Sequence, residues 1–185
     1  MKQTKTTSAM RKVVLAINKS SDWLGNSLAW LLLLMVSVML LVVLLRYGFD
    51  YGSIGLQEST LYLHALTFML GAGYTLKFDD HVRVDVFYRN FTARTKAWVD
   101  ILGFCLLLLP VCLFLFFSSW EYVISSWQLL EGSPEPGGLP LVFILKTNLL
   151  LMPVLLMLQG LAQTLMNVLT LLGQPMAQQT DEVLL

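Results

Sequence analysis

One apolar run carries both a carboxylate, Glu58, and an imidazole, His64. These are the residue types that could carry a proton or hold a cation at membrane depth. Glu58 stands at the edge of its run, where water still reaches, so its two readings differ in kind. It could couple an ion, or it could bond an arginine or backbone group between packed helices. His64 is open to the same choice between ligand and hydrogen-bonded packing residue. It lies three residues before Thr67, and Thr67, Gly71 and Thr75 follow at i, i+4 and i+8. That spacing lines one helix face with small residues that let another backbone approach closely.

Other chemistry-bearing residues cluster in connecting segments. His81, Arg83 and Asp85 alternate with apolar neighbours and would point one way from an extended strip on the membrane surface. Thr92 is placed to cap the helix that follows. The loop from Glu131 to Pro140 carries Glu131, Glu135, Gly137, Gly138 and three prolines, a composition that forbids regular structure and sets an acidic turn. Lys146 follows, able to snorkel to the interface or pair with an acid. Gln159, Gln163, Asn167 and Thr170 form a polar stripe at spacings of four, four and three. It suits either contact with another protein or a helix end leaving the membrane.

Several chemistries are missing their parts. No phosphate loop of the G-x-x-x-x-G-K-[ST] type is present. With only His64 and His81, no intramembrane pair could ligate haem. No Cys/His metal spacing and no Ser/His/Asp set can be assembled. Neither catalysis nor a cofactor or metal in this chain is expected. Cys105 and Cys112, seven apart in one apolar run, read as buried small residues on one helical face rather than a disulfide.

The elements that must position these groups are membrane helices. The 185 residues are 56% hydrophobic and only 13% charged, with a mean hydropathy of +0.69, where a soluble domain would have about a quarter charged. Apolar runs place spans at about 28–45, 58–76, 101–120 and 141–165, near the ~20 residues a crossing needs. The chain is therefore expected to be an all-α integral membrane protein of four transmembrane helices. A basic arm over 1–22 would precede a membrane domain over 23–172, with a tail over 173–185. The first run reads as a retained anchor, not a removed signal. Ten of the twelve basic residues fall on the N-terminal arm and the second loop. By the positive-inside rule both termini are then cytoplasmic. The arm itself, with Val13, Val14 and Ile17 among Arg11, Lys12 and Lys19, suits an interfacial amphipathic helix or a disordered strip held by anionic lipid. Pro110 is expected to kink the third span and Pro153 to break the over-long fourth run. With net charge zero, nucleic acid is not an expected partner.

Taken together, these residues resemble the small membrane subunit, of DctQ type, of tripartite ATP-independent periplasmic (TRAP) transporters. The resemblance runs from about residue 46 to 163. It is carried by Gln57-Glu58, then Leu70-Gly71-Ala72-Gly73-Tyr74-Thr75-Leu76-Lys77, then His81-Val82-Arg83-Val84-Asp85-Val86. The Gly-Ser-Pro-Glu-Pro-Gly-Gly-Leu-Pro loop at 132–140, Lys146, Pro153 and Gln159-Gly160 complete it. The loop looks most like the mannitol/chloroaromatic or keto-acid branch. Where the family often has a tryptophan before the helix-2 glutamate, this chain has Leu56-Gln57.

The resemblance implies a non-catalytic scaffold in the bacterial inner membrane. Its partners would be a large transport subunit, a periplasmic substrate-binding protein and membrane lipid. Sodium ions and an organic acid or related solute would bind the large subunit, not this chain. Glu58, His64, Thr67, Gly71, Thr75, His81, Arg83, Asp85, Lys146, Gln159 and Gln163 become candidates for the subunit interface. Glu131, Glu135, Gly137 and Gly138 become candidates for docking the binding protein. A competing reading is a self-sufficient four-helix proton-coupled carrier, acting as a dimer with Glu58 as its proton site.

Overall fold

The computed structural model describes residues 2–78, 88 and 90–176, with side chains from residue 7 onward. His81, Arg83 and Asp85 lie outside the described residues. Every regular element among those described is helical.

Helix α1 runs unbroken over Lys2–Gly48, 47 residues without a proline. At 1.5 Å per residue that is about 70 Å, more than twice the ~30 Å hydrocarbon core. The basic arm is therefore not a separate helix. Its residues continue the first span, and Val14 and Asn18 are buried by packing within the protein. Helix α2, Ile54–Lys77, starts where the Ser53 side chain accepts the Leu56 N–H at 3.4 Å. Helix α3, Ala93–Gly103, is capped as expected by Thr92, whose hydroxyl accepts the Thr95 N–H at 3.3 Å.

Pro110 acts one turn before itself. Having no N–H, it cannot continue the i→i−4 ladder, and the turn Phe104–Leu108 widens into a π-helix with Leu109 N–H reaching back to Phe104. Helix α4 then continues over Leu109–Leu129. The extra residue in the π turn shifts the helix register, so the two cysteines part: Cys112 is buried and Cys105 exposed. Pro153 was expected to break the last run, but helix α5 passes through it as one element, Val142–Leu171, with Pro153 buried against its neighbours. The neighbours that pack around it hold the helix where sequence alone would end it.

Helix α5 is the hub, touching α1, α2, α3 and α4, while α1 also pairs along α2. Glycines set the close approaches. A Cβ on Gly73 of α2 would stand 3.2 Å from Leu155 Cβ of α5. A Cβ on Gly25 of α1 would strike the Tyr74 ring, and one on Gly160 of α5 would strike Phe104. The rest of α1 and α4 presents leucine, valine and phenylalanine outward: Leu33, Leu40, Phe114 and Phe117 are all more than half exposed. An exposed apolar surface on that scale marks contact with lipid or another protein.

Three helical stretches, Thr7–Gly48, Ala93–Leu129 and Val142–Leu171, are long and apolar enough to cross a membrane. Helix α2, carrying Glu58, His64 and its hydroxyl and glycine stripe, is less apolar than these. The molecule has two ends. One holds the 49–53 and 130–141 connections; the other holds the start of α1 and the end of α5.

Candidate functional site

At the loop end, two glutamates hold the 130–141 connection. Glu58 Oε1 accepts the Ser133 hydroxyl, and Oε2 accepts the Leu139 N–H at 2.6 Å. The loop closes on itself between these points, Ser133 N–H donating to Leu139 O at 3.0 Å and Gly138 N–H to Glu135 O at 3.0 Å. Gly137 has φ +81°, left-handed backbone that glycine adopts without strain. A Cβ on Gly138 would collide with Ser133 and approach Glu58 itself. Glu58 thus bonds backbone and hydroxyl within its own chain.

Glu131 makes the second attachment. Its carboxylate accepts from Lys146 of α5 and, at 2.6 Å, from the Ser126 hydroxyl near the end of α4. Lys146 also lies over the Tyr122 ring, 3.9 Å from its centroid. The bonds from Lys146 and Ser126 hold the Glu131 carboxyl below its ordinary value of 4.5. Close by, Trp127 Nε1–H donates to the Thr147 hydroxyl at 2.9 Å. Of the four proposed docking residues, Glu131 and Gly138 face inward to these contacts, while Glu135 and Gly137 are exposed.

The opposite end is tied by amides. Gln159 of α5 is fully buried; its Nε2 donates to Asn18 Oδ1 at 3.2 Å and its Oε1 accepts the Ser21 hydroxyl at 2.7 Å. Placed as a subunit contact by its stripe, Gln159 instead has no exposed surface, because α1 covers it. Gln163 donates to the Leu76 carbonyl, which also accepts the Phe78 N–H where α2 ends. Asn167 reaches Asp100 of α3, which also accepts the Tyr88 hydroxyl at 2.8 Å. Lys77 pairs with Asp22, its side chain only 6% exposed. The stripe on α5 therefore holds α1, α2 and α3 together.

The small-residue stripe of α2 is placed differently. Thr67 and Thr75 return their hydroxyls to Leu63 O and Ala72 O of their own helix. A Cβ on Gly71 would meet Leu28 at an ordinary 3.7 Å, and the tight approach to α5 falls at Gly73 instead. His64 is exposed, stacked on Phe68 with centroids 6.1 Å apart.

Sequence reasoning missed Asn18, Ser21 and Asp22. Their i, i+3, i+4 spacing puts them on one helix face, but a basic arm offered no reason to look for a buried partner.

A sequence model of the DctQ component of tripartite ATP-independent periplasmic transporters matches residues 35–171. The chain belongs to this family. It is the small membrane subunit of a TRAP transporter, and an integral membrane protein. No curated protein and no solved structure matches it. Within the DctQ match lie Glu58, Lys77, Glu131, Lys146, Gln159 and Gln163, one or more partners of each attachment described above. Asn18, Ser21 and Asp22 precede it. About two-thirds of α1 thus precedes the matched region, and that part braces α5. At family level its partners are the large TRAP subunit and a periplasmic binding protein.

Proposed function

We propose that this DctQ subunit is a non-catalytic scaffold for a sodium-gradient-driven importer of organic acids or related solutes. In this reading α2 is the fourth crossing, both termini are cytoplasmic, and the membrane is the bacterial inner membrane. The large subunit carries the solute and sodium sites. The 131–140 loop faces the periplasm and the solute-binding protein, and its sequence favours the mannitol/chloroaromatic or keto-acid branch.

One observation carries the scaffold reading: both Glu58 oxygens are engaged in holding a loop of the same chain. A proton carrier needs an acid that can exchange its proton with both sides in turn. Glu58 is instead fixed at one end of α2 by a hydroxyl and a backbone N–H. The basic residues Arg11, Lys12, Lys19 and Lys77 gather at the opposite end, which supports a cytoplasmic placement there.

The test is recovery of the chain in mild detergent, with its companions identified by mass spectrometry. A larger polytopic polypeptide in about equal amount is expected. Solute uptake by liposomes holding this chain alone would refute the scaffold reading.

A further inference from the structure

Among the described residues, helix α2 leaves one face uncovered. Gly73 turns to α5 and Tyr74 to Gly25 of α1, whereas Gln57, Leu61, His64, Phe68 and Thr75 are exposed. Leu61 is 57% and Phe68 71% exposed. The intervals from 57 to 68 are four, three and four. Gly71, at the margin beside Leu28, fills the next position before Thr75. This is the seven-residue repeat by which one helix meets another along a left-handed crossing.

The polarity of the face argues against lipid as its cover. His64 stands about 9 Å along α2 from Glu58 and about 20 Å from Lys77, which puts it inside the hydrocarbon if α2 crosses. Among the described residues it has no hydrogen-bond partner; its ring lies stacked with that of Phe68. An imidazole left unpaired in hydrocarbon is costly. The outward faces of α1 and α4 are different. Ser37 and Ser118 there return their hydroxyls to Leu33 O and Leu115 O, so neither hydroxyl needs an outside partner.

We propose that Gln57, Leu61, His64, Phe68 and Thr75 form the seam for a transmembrane helix of the large transport subunit, which supplies a hydroxyl, amide or carboxylate to His64. The heptad spacing calls for a helix, and the unmatched imidazole calls for one with a complementary polar group. The inference rests on the scaffold reading above and names the surface that reading requires.

The test uses the intact complex, with a photoreactive side chain placed at Leu61 or Phe68 and, for comparison, at Leu40 of α1 or Phe114 of α4. Adducts to the large polypeptide are expected from 61 and 68, and lipid adducts from 40 and 114. His64→Leu should weaken association with the large polypeptide roughly three- to thirtyfold, the factor for one interhelical hydrogen bond. The isolated chain should melt no lower with this change, since it removes a polar group from hydrocarbon. Adducts from 61 and 68 to lipid alone, or to a second copy of this chain, would overturn the seam. So would undiminished association of His64→Leu. If the large polypeptide is recovered and cross-links only from α1 or α4, the scaffold reading stands and the seam falls. If the unmodified chain recovers no larger polypeptide at all, both fall.

Discussion

Glu58 and Glu131 show how a carboxylate near a helix end can be structural. Each accepts two hydrogen bonds from its own chain, and together they hold the 130–141 connection to three helices. Glu58→Gln keeps an acceptor oxygen, so in the scaffold reading neither complex assembly nor solute uptake should change in a transport assay. Glu58→Ala should release Ser133 and Leu139, seen as faster proteolysis within 133–139. Gly138→Ala should do the same, because its Cβ would enter the space of Ser133 and Glu58. Acid should act through Glu131. Its folded pKa lies below 4.5, so its bonds contribute fully above that value and fade as pH falls through the lowered one. Melting curves of the complex should therefore drop below about pH 4, and Glu131→Gln should flatten that part of the drop. The acidity and the prolines were legible in the residues themselves, and an acid partner for Lys146 was one of the two readings they allowed. That Glu58 bonds Ser133 and Leu139 was not, because 75 residues or more separate the partners and no local spacing encodes their meeting.

Helices depend here on glycine more than on volume. A Cβ on Gly73 would press tightly on Leu155, at 3.2 Å, whereas one on Gly48 or Gly103 would meet nothing within 4 Å. Gly73→Val should lower stability by about 1–3 kcal/mol through overpacking. Gly103→Ala, in an open position inside a helix, should be neutral or raise stability by about 0.5–1 kcal/mol. Thermal unfolding in one detergent would compare the two. The helical class and the approximate place of each helix were readable from apolar run length. The stripe of Thr67, Gly71 and Thr75 pointed to helix contact on α2, but the tight approach falls at Gly73. Sequence spacing gives a face to within a residue or two, and the crossing angle of α5 decides the rest. Pro110 and Pro153 make the same point. One displaces its disturbance into a π turn; the other is carried through by surrounding helices.

The whole molecule is a bundle tied at both ends around α5. Much of the tie at the terminal end comes from residues ahead of the matched family region. Removal of residues 1–22 would leave Gln159 with neither Asn18 nor Ser21, and Lys77 without Asp22. A buried amide without partners costs about 1–3 kcal/mol, so this truncation should melt lower than one removing residues 1–6 only. The same deletion should not change which large polypeptide is recovered, if the α2 face makes that contact. The unbroken course of α1 has a mechanical consequence too. Its single glycine between the termini, Gly25, is the natural flexing point, and the Tyr74 ring occupies the space beside it. The helix then behaves as one lever about 70 Å long, and a 10° rotation about its middle would sweep each tip through about 6 Å. Tilting of the bundle within the bilayer would be felt, undiminished and in the opposite sense, at the basic tip beyond it.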